Sequence, residues 1–359
     1  MNKIIYLDAA ASYQKSNAVI DAQVDFLRNK YANSGRGICA RAVDVDNMLE
    51  NTRRVVADFI GANAQQIVFT AGTTDAMNMI ARMLAGRVVA VSDLDHHSAR
   101  LPFEQLAREI KVCPLNQNLD IDLNDVPVAD VMVITAMSNV LGRAQDVKKI
   151  IAAAREKNPN VITVVDAAQY VVHNDIDVGA WGCDFLCWSG HKIGADTGVG
   201  VLYIKNPDDF APVKFGGGMV NKIIGNDLIL NNAPDKFEAG TLPLTQISAL
   251  GVAIEELKKN RPDVNLVRYL YDELLKIPRV KILSPRDGVL VSFVVDGMHV
   301  IDFGAMIGAR GVCVRVGNMC ASWIHKRLGV NGTIRVSVGG YNTIQEIKTL
   351  VQYIKDIIK

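Results

Sequence analysis

No run of about 18 apolar residues occurs in the 359-residue chain, so no membrane span is expected. Charge of one sign is also lacking. Lys+Arg 39 stand against Asp+Glu 38, a formal net charge of +1, which gives no electrostatic reason to expect nucleic acid or an anionic membrane as partner. Cysteine is sparse. Six residues (Cys39, Cys113, Cys183, Cys187, Cys313 and Cys320) without one C-x-x-C pair argue against a disulfide framework. Cys183 and Cys187 are four apart, but they lie in a strand-like run with no second ligand pair. They read as small buried hydrophobes, and no metal is expected. Internal repeats and low-complexity tracts are missing too. The stretch from Met1 to Asp8 has no long apolar segment after Lys3, so no signal peptide is expected and the reading is cytoplasmic.

What is present suits a large core. Hydrophobic residues make up 49% and charged residues 21%, ordinary globular usage, and the length suggests two or three domains. Apolar runs at 66–70, 87–92, 131–135, 161–165, 184–188 and 199–204 predict strands. Amphipathic stretches at 75–85, 102–110 and 146–157 predict helices between them. This alternation predicts an α/β fold whose mostly parallel sheet is covered on both faces. Such sheets bind ligands at the carboxyl ends of their strands. After residue 251 the texture changes. Helices at 249–259 and 264–276 lead to strands at 289–295, 311–316 and 333–338, interleaved with helices at 299–309 and 343–358. The expected division is a large domain over 1–257 and a smaller α+β domain over 258–359 carrying Cys320 and Arg335. The N-terminal segment is expected to pack on the small domain.

Three features fall where strands end. The run 161–165 is followed by Asp166-Ala167-Ala168-Gln169. An acid at the tip of a buried strand must be paired or hydrogen-bonded to stay ionised, and a pyridinium nitrogen is one natural partner. An N-cap for the next helix would serve as well. The run 184–188 is followed by Ser189-Gly190-His191-Lys192. A lysine presented there into a cleft loses hydration, which lowers its pKa and favours imine formation, although an exposed loop is the usual fate of lysine. Ser189 and His191 could both donate to a phosphate. The run 66–70 is followed by Ala71-Gly72-Thr73-Thr74-Asp75. A Gly-Thr-Thr turn opening a helix offers N–H groups and hydroxyls to a phosphate, or simply caps that helix. It has neither the Walker lysine nor the G-x-G-x-x-G spacing.

Further stretches add chemistry. In Asp95-His96-His97-Ser98 an imidazole could stack on an aromatic cofactor ring. Cys320 lies in an expected loop, Arg315 to Ser322, where a reactive thiolate could move between substrate and acceptor. Arg335 lies inside an apolar strand, and a buried arginine demands an anion such as a substrate carboxylate.

In order and spacing these motifs resemble the aminotransferase class V family, most closely its cysteine desulfurases of the second, shorter-loop group. The resemblance runs nearly end to end. It covers Tyr6 to Ser12, Gly35-Arg36-Gly37-Ile38, Thr70 to Met77, Asp95 to Ser98, Ser138 to Gly142, Asp166 to Gln169, Ser189 to Lys192, Gly216 to Met219 and Phe237 to Thr241. It implies a fold-type I homodimer that uses pyridoxal 5'-phosphate. Lys192 would carry the cofactor as a Schiff base and shuttle protons. Asp166 would meet the pyridine nitrogen, Gln169 the phenolic oxygen, and His96 the ring face. Thr73, Thr74, Ser189 and His191 would hold the phosphate, with Thr241 reaching over from a second subunit. Asn139 would contact both cofactor and substrate, and Arg335 and Arg36 the substrate carboxylate. Cys320 would take sulfur from L-cysteine as a persulfide, releasing alanine. Implied as well are a sulfur-acceptor protein docking at the cleft and service to iron–sulfur cluster biogenesis.

Departures bear on the substrate. Gly35 and Cys39 stand where the second group usually has histidines, and Asn318 and Met319 replace a His-rich approach to Cys320. Fewer imidazoles mean fewer proton donors and thiolate partners there. Other class V activities therefore compete: selenocysteine lyase, cysteine sulfinate desulfinase, or an aminotransferase or epimerase. A catalytically silent homologue is the rival of another class, and the joint presence of Lys192, Asp166 and Arg335 argues against it.

Overall fold

The structure, a computed structural model, describes residues 4–35 and 37–359. Its centre is a seven-stranded sheet ordered Ile67–Thr70, Gly200–Ile204, Phe185–Ser189, Ile162–Asp166, Val131–Thr135, Val88–Ser92 and Glu109–Cys113. Neighbours pair in parallel from Phe185–Ser189 outward to Glu109–Cys113. Gly200–Ile204 runs antiparallel to both of its neighbours, giving the mixed, mostly parallel α/β sheet expected. The central strands are Val- and Ile-rich and buried along their whole length, because helices cover both faces. On one face Met77, Ile80 and Phe103 pack beneath helices Thr73–Met83 and His97–Leu106. On the other, Val56, Ile60, Ile150 and Leu250 pack from helices Ala40–Ile60, Val147–Lys157 and Leu244–Lys259.

A four-stranded antiparallel sheet, ordered Val280–Ile282, Val291–Val295, Thr333–Val336 and Arg315–Gly317, has a core of its own. There Phe293, Phe303, Ile334, Leu350 and Ile354 meet under helices Val264–Leu274, Val300–Gly308 and Ile344–Ile358. Leu7 belongs to this core, and Ile5–Tyr6 pairs in parallel with Val312–Cys313.

Two elements differ from expectation. The helix predicted over 102–110 ends at Leu106, and Glu109–Cys113 is instead the edge strand beside Val88–Ser92. Its Glu-Ile-Lys-Val-Cys alternation has the period of a half-exposed strand, and only the pairing distinguishes this from a fraying helix end. The strand predicted over 311–316 is two short strands. Val312–Cys313 joins the N-terminal segment, and Arg315–Gly317 crosses to Thr333–Val336. Among the described residues no helix is long and apolar enough to cross a membrane.

Candidate active site

The ends of five strands of the large sheet build one cavity of about 240 Å³. Thr73, Thr74, His96, Asn139, Asp166, Gln169, Ser189, His191 and Lys192 all line it, so the structure brings together nine of the residues singled out in the sequence. The Gly-Thr-Thr turn follows Ile67–Thr70 and opens the helix Thr73–Met83. Thr73 N–H donates to Ser189 Oγ at 2.8 Å, which locks this turn to the one that precedes Lys192. The two strands before these turns are separated only by Gly200, where a Cβ would stand 2.5 Å from the Gly72 Cα. Glycine is required at that crossing.

Lys192 lies in the 3-10 turn Gly190–Ile193, and its Nζ donates to the Ala10 carbonyl at 2.6 Å. Gln169 Nε2 donates to the same carbonyl at 2.8 Å. Burial, reinforced by the positive charge of Arg335, lowers the Lys192 pKa to about 8. A neutral, nucleophilic amine is therefore available near neutral pH. The rate at which Lys192 forms a borohydride-trappable imine with a small aldehyde should rise through a midpoint near pH 8. A midpoint near the ordinary 10.5 would contradict the buried setting.

Asp166 ends its strand almost fully buried and accepts the Ala168 N–H at 2.9 Å. Burial outweighs that hydrogen bond and raises its pKa to about 6. Such a carboxyl is poised to gain from a cationic partner in the cavity. His96 caps the helix His97–Leu106 by accepting from Ser98 N–H, and burial with Lys192 nearby lowers its pKa to about 4. Its ring is neutral, which suits stacking better than ion pairing. His191 is lowered to about 4 likewise, chiefly by burial, and would donate to a phosphate as a neutral imidazole. Beneath them Asp95 is wholly buried and accepts from Ser92 N–H, Ser92 Oγ and Thr135 Oγ1. This fixes the loop that presents His96.

The four-stranded sheet brings Arg335 against the lining residue Asn139. Arg335 is 2% exposed; its Nη1 donates to the Asn139 carbonyl and its Nη2 to Asp8 Oδ1, each at 3.0 Å. Its Nε is buried with no partner, as is Asn139 Oδ1. A free donor and a free acceptor, both withdrawn from water, mark a place where a polar ligand belongs. The anion demanded by Arg335 is thus supplied in part by the chain itself, through Asp8.

Cys320 is exposed and borders a second cavity of about 540 Å³ shared with Thr74, His96, Leu101 and Leu106. Three hydrogen bonds pin its loop. Asn139 Nδ2 donates to the Met319 carbonyl at 2.9 Å, His97 N–H to the Cys320 carbonyl at 2.7 Å, and Cys320 N–H to Asn318 Oδ1 at 3.2 Å. Met319 and Cys320 both take left-handed backbone conformations, φ 50° and 54°. Asn318 therefore braces the loop.

Thr241 is not brought to the main cavity. It lines a separate one of about 610 Å³ with Asn33, Asp46, Glu50 and Gly217. Its loop is fixed by the buried pair Arg53–Glu238, whose two hydrogen bonds are 2.8 and 2.9 Å. Glu238 also accepts the Phe69 N–H, which ties this loop to the strand before the Gly-Thr-Thr turn. Arg36 lies outside the described residues. Asp8, the Ala10 carbonyl, Arg315 and Arg53 were not assigned roles from the sequence. Tyr6 to Ser12 stood out only as a resemblance, and a backbone carbonyl leaves no signature at all.

The aminotransferase class-V family model matches residues 5–350. The chain belongs to the aminotransferase class-V family. A family member of Enterobacter sp. (strain 638) named cysteine desulfurase is 35% identical, over 99% of this chain and 93% of its own. Another of that name from Klebsiella pneumoniae is 34% identical, covering 99% and 94%. Among solved structures, the apo cysteine desulfurase of Thermococcus onnurineus NA1 superposes with a TM-score of 0.93 at 29% identity, over 99% and 95% of the two chains. An Escherichia coli cysteine desulfurase gives 0.88 at 30%, over 98% and 94%. The fold-type I architecture of the class-V family is that of this chain.

Proposed function

We propose that this class-V enzyme is a pyridoxal-phosphate-dependent cysteine desulfurase, making alanine from L-cysteine and holding the sulfur on Cys320. The observation that carries the reading is the convergence of Lys192, Asp166 and the Thr73–Ser189 turn pair in one cavity, with Cys320 on a second that shares Thr74 and His96 with it. The donor set fits the cofactor. An amine with a lowered pKa suits its aldehyde, a buried strand-tip carboxyl its ring nitrogen, and hydroxyls at a helix start its phosphate. Bound there, pyridoxal phosphate supplies the electron sink for breaking bonds at the substrate α- and β-carbons.

The chain's own residues do the rest. Lys192 moves a proton at the substrate α-carbon, and its low pKa lets it act as base and then acid. Arg335 donates to the substrate carboxylate through its buried Nε, and Asn139 Oδ1 accepts from the substrate's amino group. The Cys320 thiolate attacks the substrate sulfur. The carbon–sulfur bond breaks with its electron pair left on carbon, which takes a proton and leaves as alanine. Sulfur stays on Cys320 as a persulfide. The Cys320 loop spans only the gap between Arg315–Gly317 and the helix Ser322–Arg327, so an acceptor protein must come to it. Thr241, placed in a cavity apart, suits service to the phosphate of a second copy.

The test is the alanine yield from L-cysteine, cysteine sulfinate and selenocysteine side by side, with and without a thiol reductant. Alanine from cysteine with one persulfide per chain is expected. Alanine from sulfinate or selenocysteine alone would transfer the reading to those activities.

A further inference from the structure

The loop that carries Cys320 is held at both ends by one residue of the four-stranded sheet. Gly317, just before the loop, pairs with Thr333, and Thr333 Oγ1 lies 3.2 Å from His325 Nε2. His325 is 2% exposed, and its Nδ1 lies 2.8 Å from the Ala321 carbonyl. A carbonyl only accepts, so Nδ1 carries the ring proton and Nε2 accepts from Thr333. Anchored at both ends, residues 318–320 keep one freedom, a rocking toward or away from the helix His97–Leu106. Trp323 closes that freedom. Its half-buried ring lies under the guanidinium of Arg100, 4.1 Å from the ring centroid, and meets the His97 ring edge-on at 5.2 Å. Arg100 is itself 7% exposed and donates to Glu104 Oε1 at 2.7 Å. Beside the indole, His97 Nε2 lies 3.0 Å from Ser322 Oγ, and His97 N–H donates to the Cys320 carbonyl. The left-handed backbone of Met319 and Cys320 needs such bracing, because residues with a Cβ leave that conformation unless their surroundings hold them in it.

We infer that Trp323 is a positioning residue for sulfur transfer: clamped between Arg100 and His97, it sets where the Cys320 thiol stands relative to His96. His96 caps the helix that holds the clamp, and it lines both the cavity of Lys192 and the one bordered by Cys320. This rests on the desulfurase reading and deepens it by naming the residue on which the reach of the thiol depends. Trp323 itself lines neither cavity. Its loss should therefore leave the affinity for substrate alone and slow the one step that needs the thiol in place, the attack of Cys320 on the substrate sulfur. A misplacement of about 1 Å is enough to slow such a step about 100-fold. A reaction that needs no attacking thiol should not register the change.

The experiment compares cofactor-loaded wild type, Trp323→Ala and Trp323→Phe in two reactions: persulfide formed on Cys320 in a single turnover of L-cysteine, and alanine released from cysteine sulfinate. Trp323→Ala should form persulfide at least about tenfold more slowly, with half-saturation by cysteine and turnover of sulfinate both within about twofold of wild type. Trp323→Phe restores a ring beneath Arg100 and beside His97, and should recover most of the lost rate. Equal losses on cysteine and sulfinate would place the damage in the cofactor cavity and overturn the inference. So would a persulfide rate in Trp323→Ala within about twofold of wild type, or a Trp323→Phe as slow as Trp323→Ala. Should Trp323→Ala fail to fold, Trp323→Leu keeps apolar bulk without an aromatic face, and the same split is read from it. Amide hydrogen exchange, measured without substrate, needs no turnover at all. The peptide spanning 318–322 should exchange about tenfold faster in Trp323→Ala, and unchanged exchange overturns the inference. A wild type that makes no alanine from cysteine sinks the desulfurase reading, and the exchange rates still decide whether Trp323 holds the loop.

Discussion

Replacing Lys192 with alanine should leave a folded protein whose turnover of cysteine falls at least about 10⁴-fold, the scale on which positioned proton-transfer and nucleophilic groups act. The side chain contributes little to stability. Its one hydrogen bond runs to the Ala10 carbonyl, which keeps Gln169 as a second donor. Its chemistry has no substitute, because His96 and His191 carry no primary amine to form an imine, and His96 is held by Ser98. The covalent link between protein and cofactor, trapped by borohydride and located by mass spectrometry, should vanish with Lys192→Ala. A trapped link elsewhere, or turnover within tenfold of wild type, would show that another amine does the work.

Cys320→Ala has a different signature. The thiol is exposed and borders the second cavity rather than the one lined by Lys192, so cofactor binding should be unchanged. Alanine formation from cysteine should fall at least about thousandfold, since no other nucleophile stands there. Cys113, Cys183 and Cys187 are buried, and burial pushes the first two up to about 12 and the third well above its ordinary value, so none offers a thiolate. Turnover of cysteine sulfinate, which needs no attacking thiol, should persist. Undiminished alanine from cysteine would remove the persulfide step.

The half of the site on the seven-stranded sheet was legible in the sequence because each residue follows directly on a buried apolar run. A strand pattern that ends in Asp166, or in Ser189 to Lys192, already says where the side chain emerges. Asp166 stands one position deeper than expected, inside its strand, since the pairing with Cys187 continues to that residue. The half on the four-stranded sheet was less legible. Arg335 could be seen to need an anion, but Asp8 lies 327 residues away and becomes its partner only through the bridge between Asp8 and Ser337. The edge strand Glu109–Cys113 was lost for a similar reason, because its alternation is short and only its neighbour distinguishes it from a helix end. Arg53 carries no local sign of burial. It sits in the helix Ala40–Ile60 like a surface arginine, yet is 1% exposed against Glu238.

The arrangement of the N-terminal segment also orders events during synthesis. Ala10 is made 327 residues before Ser337, whose hydroxyl anchors its N–H, and Asp8 waits for the same residue through their bridge. The large sheet can form as its strands emerge, with Lys192 already in its turn. The Ala10 carbonyl that receives the lysine amine arrives only when the segment is laid along Val312–Cys313 and Ser337. A nascent chain therefore lacks the seat for its amine, and its arginines lack their buried counter-charge, until the strand leading to Ser337 has been made.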